Sequence, residues 1–192
     1  ARSGFLGEIF SVRAHMSTCI PEAARKIISV HQGGILYDLG GHMLDQVVWM
    51  LGRPRKVNAF MRNDAGVVPE FKDNTLGVFE FDQAIAFIDI AAMETPPMAR
   101  RFEVYGSRGS AILVEPFEPG RSLRVCLDEA RDGFQKGEQT IHIPPQDRQV
   151  LYERELASFL AAIAGTQAPD RPYTHELLVQ ETLLRATGGI GA

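Results

Sequence analysis

The sequence predicts an α+β fold: an open, mostly antiparallel β-sheet with helices packed on one face. Three observations carry that expectation. Segments of period-2 apolar alternation crowd the middle of the chain, joined by short turn signals rather than by helices. One long apolar helix precedes most of them. Two segments of helical period follow them, and no internal repeat or low-complexity tract interrupts the series.

The elements come in this order. Glu8 to Met16, E-I-F-S-V-R-A-H-M, alternates as a strand. Ser17 to Gln32 is irregular, with a short helix opened by Pro21 in its first turn. Gly33-Gly34 breaks the chain, a helix runs to about Leu51, and G-R-P stops it. Seven strands then follow at short spacing: Lys56 to Arg62, Thr75 to Phe81, Ile85 to Met93, Arg101 to Gly106, Ser110 to Val114, Leu123 to Leu127 and Gln139 to Ile143. Phe81-Asp-Gln-Ala and Y-G-S-R-G-S read as hairpin turns. From Arg148 the period becomes helical, with Leu151, Leu156, Phe159, Leu160 and Ile163 at 3–4 spacing as far as Gly165. Thr166 to Pro172 is a loop. A last helix spans Thr174 to Ala186, with Thr174 as its cap.

Composition limits the function. The 192 residues suffice for one domain with a substantial core, at 45% hydrophobic and 23% charged. A net charge of −4 without a basic tract argues against a nucleic-acid surface. No apolar run reaches the ~18 residues of a membrane span, and no signal pattern opens the chain, so the cytoplasm is expected. Cys19 and Cys126 read as buried thiols of a reducing compartment. Ala1 is not Met and a strand begins within ten residues, so the chain reads as a piece of a longer one.

The chemistry concentrates in G-G-I-L-Y-D-L-G-G-H-M-L-D, Gly33 to Asp45. On a helix, Asp38, His42 and Asp45 fall within an arc of roughly 60°. Leu39, Met43, Leu44, Val47, Val48, Met50 and Leu51 fill most of the remaining circumference. That describes a buried helix with one ionisable stripe, which must face a cleft, a ligand or buried partners. Gly40 and Gly41 each cost a helix interior about 1 kcal/mol against Ala, so something approaches the backbone closely there. Asp38 and His42, one turn apart, suit a general base with an orienting carboxylate; they equally suit a structural pair. Asp45 equally suits helix packing as a hydrogen-bond acceptor. A metal reading would join Asp38 and His42 to His31 or His15, but no tight ligand pattern is present and no metal is expected. His142 and His175 read as surface or core residues. Gly106-Ser-Arg-Gly109 lies between strands and is a turn, not a phosphate loop. No G-x-S-x-G or Cys–His constellation argues for a hydrolase, and no G-x-G-x-x-G follows a strand.

Both alternating sets are largely apolar in Ala84 to Met93 and in Thr75 to Phe81. A sheet with one wet face alternates more cleanly, so a second subunit is expected on the outer face, near Phe87, Asp89 and Ala91.

Gly33 to Asp45, followed by W-M-L-G-R-P, resembles the signature of the Gfo/Idh/MocA oxidoreductases, relatives of glucose–fructose oxidoreductase and inositol 2-dehydrogenase. F-L-G-E-I-F-S-V-R, R-F-E-V-Y-G-S-R-G-S-A-I-L and E-L-A-S-F-L-A-A-I-A-G match in order. The resemblance covers nearly the whole chain but only the C-terminal half of the usual member. It implies that residues 1–192 are the substrate-binding and oligomerisation domain of a two-domain enzyme. An N-terminal Rossmann domain would bind NAD or NADP and supply a catalytic Lys from an E-K-P motif absent here. By position, His42 would exchange the proton of the substrate hydroxyl and Asp38 would orient it or bind the sugar. The stripe would face the nicotinamide cleft, with Gly41 against the cofactor. His31, just before the double glycine, would stand at the substrate. The implied reaction is hydride transfer to or from a sugar, polyol or related alcohol, in a homodimer or homotetramer, with this chain alone inactive. A non-catalytic binding or scaffold module, or a metal-dependent lyase or isomerase, would be the alternatives.

Overall fold

The structure, a computed structural model, describes residues 2–113, 120–145 and 147–190. Its elements are β1 (Ile9–Met16), α1 (Glu22–Ile28), α2 (Gly34–Leu51), β2 (Lys56–Arg62), β3 (Asn74–Glu80), β4 (Ile85–Ala91), β5 (Arg100–Gly106), β6 (Gly109–Leu113), β7 (Ser122–Leu127), β8 (Gly137–His142), α3 (Arg148–Ile163) and α4 (Tyr173–Thr187). Val114, the end of one predicted strand, lies outside the described residues. The strands form one sheet of eight in the order β2-β3-β4-β1-β5-β6-β7-β8. Every pairing is antiparallel except β1 with β4. The expected α+β architecture is thus present, with β1 set between two meanders.

Alternation decides which side of the sheet is core. Val12, Ala14 and Met16 of β1 point inward beside Ala86, Ile88 and Ile90 of β4 and Thr75 and Phe79 of β3, all buried. α2 lies over this face with Ile35, Leu36, Met43, Leu44, Val47 and Val48 buried. Each such aliphatic side chain contributes about 1.5–3 kcal/mol by leaving water. α4 packs beside α2 through Val179, Leu183 and Ala186.

α3 departs from the expectation of a helix packed on the sheet. None of its residues is buried. Its Asp147 cap accepts from the Gln149 N–H, which stabilises the helix locally. The final helix also begins differently, at Tyr173 directly after Pro172 and without a side-chain cap; Thr174 is not the cap. Pro172 has no N–H to satisfy and presets the entry.

The outer face is mixed. Phe60 and Ile85 are exposed and Phe87 is half-buried. Beside them His15 Nδ1 meets Asp89 Oδ2 at 3.1 Å, with the His15 ring edge-on to Phe87. Arg13 stands 4.8 Å over the Tyr105 ring, and the Tyr105 hydroxyl donates to buried Glu103 at 2.6 Å. Burial, then the Glu103 carboxylate, pushes the Tyr105 phenol up. Cys19 and Cys126 are free and exposed, which corrects the buried-thiol expectation. Cys126 points outward on β7 because its neighbours Val125 and Leu127 take the inward positions.

A buried ion pair fastens α1 to the sheet. Arg25 donates to Asp73 Oδ2 at 3.2 Å, to the Ala92 carbonyl and to the Ile20 carbonyl. Asp73 also accepts the Asp64 and Ala65 N–H groups, so the carboxylate is well saturated. Removing one partner of such a pair leaves a buried charge uncompensated. Asp73→Ala should therefore cost about 3–5 kcal/mol, read as a lowered urea midpoint; a loss below about 1 kcal/mol would contradict the keystone role of the pair.

Candidate active site

The site helix is positioned at its entry by close backbone contact. Gly33 and Gly34 have φ of 99° and 54°, a region that side chains rarely adopt. A Cβ on Gly34 would stand 2.3 Å from the Lys72 carbonyl oxygen, and one on Gly33 would stand 2.4 Å from Thr187. The Ile35 N–H donates to the Lys72 carbonyl at 2.9 Å, the Gly34 N–H to His31 and the Leu36 N–H to Gly33. The first donors of α2 are thereby consumed by the protein. A glycine-led helix N-terminus normally invites an anion; this one is stoppered by the β2–β3 loop.

Further along α2 the predicted stripe divides. Asp38 and His42 are solvent-exposed, and among the described residues neither has a hydrogen-bond or ion-pair partner. The sheet covers one flank of the helix, α4 covers the next, and Asp38 and His42 stand on the third, which is open. Asp45 turns the other way. Its Oδ1 meets His175 Nε2 of α4 at 2.6 Å and Arg171 Nε at 3.4 Å, while Oδ2 accepts from Gln46 at 2.7 Å. The Asp45 carboxylate is a packing acceptor, one of the two roles its sequence position allows.

Trp49 completes this corner. Arg2 and Arg171 each stand 4.1 Å from its ring centroid, and the buried His175 ring meets it edge-on at 5.2 Å. Sequence reasoning did not connect His175 with Asp45. The two are 130 residues apart, and no local spacing signals such a pair. Arg53 adds a forked bond to Glu181, which holds the Glu181 carboxyl below the usual carboxylate range.

Gly40 and Gly41 have an internal explanation. A Cβ on Gly40 would meet Leu36 at 3.1 Å and Leu183 at 3.4 Å, and one on Gly41 would meet Leu183 at 3.7 Å. The close approach there is by α4, with Gly41 half-buried. His31 is exposed at the entry to α2, its ring stacked 5.0 Å from Tyr37. His15 pairs with Asp89 on the outer face, across the sheet from α2, so it cannot join Asp38 and His42 around one ion. The donor atoms of Asp45, His175 and Glu176 lie within 4.8 Å of one another. Two of these donors already bond each other, and none belongs to the Asp38–His42 face. No helix among the described residues is long and apolar enough to cross a membrane.

The family model of the GFO/IDH/MocA C-terminal domain matches residues 1–112, from β1 through the site helix to β6. This chain belongs to the GFO/IDH/MocA family. A curated relative, the uncharacterized oxidoreductase YhhX of Escherichia coli K12, is 30% identical over 140 residues, covering 69% of this chain and 37% of its own length. Levoglucosan dehydrogenase in complex with NADH and levoglucosan superposes with a TM-score of 0.75 at 14% identity, over 97% of this chain and 58% of its own. An Agrobacterium radiobacter oxidoreductase in complex with NAD+, L-tartaric acid and magnesium gives 0.72 at 18% identity, over 96% and 55%. UDP-N-acetylglucosamine 3-dehydrogenase of Acidithiobacillus ferrooxidans gives 0.74 at 17%, over 98% and 56%. At these identities the superpositions show the shared fold. The chain spans little more than half of each solved GFO/IDH/MocA relative, and less of the curated one.

The Asp45–His175 bond ties α2 to α4 beside the only tryptophan of the chain. His175→Ala should leave the Asp45 carboxylate short of one partner, at a cost of about 1–3 kcal/mol. Intrinsic fluorescence during urea unfolding reads both effects: a lower midpoint and an altered native emission of Trp49. An unchanged midpoint would show that the bond contributes nothing to α4 docking.

Proposed function

We propose that this chain is the substrate-binding and catalytic part of an NAD(P)-dependent oxidoreductase that acts on a sugar, polyol or related alcohol in the cytoplasm. The observation that carries the reading is the pair of exposed, unpartnered ionisable side chains, Asp38 and His42, on the open flank of an otherwise packed helix. A structural pair would bond to each other or to the core, as Asp45 and His175 do. Groups left free on a rigid helix are available to substrate. Family membership and the sugars found in complexes of levoglucosan dehydrogenase, levoglucosan and L-sorbose, point the same way.

The residues fit part of the cofactor. Asp38, His42 and half-buried Gly41 offer a face that a flat nicotinamide ring and an alcohol could share. The pyrophosphate finds no cradle, because the donors at the start of α2 already bond Lys72, His31 and Gly33. That cradle belongs to the Rossmann domain that longer family members are expected to carry. When bound, NAD(P) supplies the hydride acceptor or donor. This chain's own work is protonic and positional. His42 accepts the hydroxyl proton and returns it in the reverse direction. Asp38, one turn earlier, holds a neighbouring hydroxyl or orients the imidazole. His31, steadied on Tyr37, lies at the substrate end of the same helix. The scaffold reading differs in one respect: it leaves His42 without a task.

In the full-length enzyme His42→Ala should lower kcat/KM about 10²–10⁴-fold, the usual contribution of a positioned general base. NAD(P) affinity and melting temperature should change little, because His42 is exposed and unpartnered. Asp38→Asn should also reduce kcat/KM. Near wild-type turnover by His42→Ala on a proven substrate would remove the catalytic assignment.

We also assign the outer sheet face to a second copy of the chain, making a homodimer or homotetramer. Phe60, Ile85 and Phe87 supply apolar area, and His15, Asp89, Arg101 and Glu103 supply polar groups that a symmetric contact can meet. Ile85→Lys should shift the molar mass by light scattering to that of a monomer while circular dichroism stays constant. A wild-type monomer at high micromolar concentration would exclude this face as the contact.

A further inference from the structure

We infer that the α3–α4 hairpin carries a second contact between copies of this chain, in which two α3 helices pair antiparallel and join sheet-face dimers into a tetramer. The tetramer rests on the sheet-face contact proposed above; the α3 contact itself does not.

The face is apolar, continuous and large enough. α3 is sixteen residues long and none of them is buried. Tyr152, Leu156, Phe159, Leu160 and Ile163 are 55–68% exposed, and at 100° per residue they share one stripe of about 100°. Tyr173 of α4 and Leu177, one turn beyond it, are 81% and 70% exposed. Leu156, Phe159 and Ile163 line a groove of about 710 Å³ together with Tyr173, so the two helices present one surface. Single apolar residues on a surface are ordinary, but a continuous set marks a contact. An aromatic side chain presents about 150–250 Å², so at their exposures Tyr152, Phe159 and Tyr173 offer about 300–500 Å² between them. The four aliphatic side chains bring the face to roughly 600 Å² per partner, the size at which specific contacts begin.

Charge decides the occupant and its orientation. Glu153, Arg154 and Glu155 crowd the N-terminal half of α3, whereas residues 158–167 contain no Asp, Glu, Lys or Arg. In a parallel pair Glu153 and Glu155 would meet their own copies, and like charges across a contact oppose it. Turned end for end about the middle of the stripe, each charged half lies along the partner's uncharged half. The two helix dipoles then run in opposite senses, which favours the pair. The groove adds no unanswered cation, because Arg171 is already engaged by Asp45 and Trp49. Glu155 and Glu176 stay at its exposed rim. α3 is therefore self-complementary, the property an isologous contact needs.

Both contacts fit on one chain. α4 packs beside α2 on the inner side of the sheet, and the sheet-face contact uses the outer side. Taken singly, the α3 contact lies at the small end of specific interfaces. Two sheet-face dimers meet through two such contacts, and the second forms at high effective concentration once the first is made.

Light scattering over a dilution series tests the inference. The wild-type protein should have the mass of four chains at micromolar concentration, and Phe159→Glu should have half that mass. Tyr173→Ala, which lies outside α3, should raise the tetramer dissociation constant about tenfold or more with unchanged circular dichroism, as loss of an aromatic anchor does. High salt should leave the wild-type mass unaltered, since no charge pair holds the contact. A mass that Phe159→Glu leaves unchanged overturns the inference and leaves the face to a different protein. Dissociation by salt overturns it too, as does a wild-type constant in Tyr173→Ala. Ile85→Lys reads the sheet face separately: if it has the wild-type mass while Phe159→Glu halves it, the sheet-face contact fails and the α3 contact stands.

Discussion

The segment Phe71–Asp73 is the point on which the rest of the structure depends. In three residues it fills a core position with Phe71, caps α2 with the Lys72 carbonyl and neutralises buried Arg25 with Asp73. Asp73 also bonds through its backbone to β2 and to the residue after β4. A loop between two strands is usually the place where a fold tolerates change. Here it fixes the height and rotation of α2 over the sheet, because Gly34 leaves no room for any other approach. The direction in which Asp38 and His42 point is set by contacts none of which involves those two residues.

Most of the fold was legible in the sequence. Turn residues mark the gaps between the strands, and in Asn74–Glu80 burial alternates even though both alternating sets of that stretch are largely apolar. The register of β1 was not legible, since a parallel pairing with β4 across 74 residues leaves no local trace. The stripe on α2 was found by angular arithmetic, which says which residues share a side but not what faces that side. Two of its three members look out and the third is taken by His175. Cys126 and Thr174 show the same limit: alternation and a neighbouring proline outweigh the usual preferences of the residue type.

Two kinds of polar group coexist on α2, and their contrast is informative. Asp45 is bonded by a histidine of α4, an arginine of the preceding loop and a glutamine of α2 itself. Those bonds spend its hydrogen-bonding capacity. His42 and Asp38, one and two turns nearer the N-terminus, retain theirs. Folded proteins satisfy their polar groups wherever they can, and this helix holds two of them free beside one held fast within a few residues.

The placement of β1 bears on how the sheet can assemble. Strands β2–β3–β4 and β5–β6–β7–β8 are two meanders, each closed by contacts between near neighbours in sequence. Among the described residues no pairing joins them except through β1, which runs parallel to β4 and antiparallel to β5. Until β1 is in place each meander has an unpaired edge facing the other, a template for pairing with foreign strands. Because β1 meets the two edges with opposite polarity, it distinguishes them and cannot be replaced by direct union of the meanders in the native order. Its loop-closure entropy is large, so local pairing should precede it. The first strand in sequence would then be the last to be woven in, making the sheet's centre, rather than its rim, the seam at which misassembly begins.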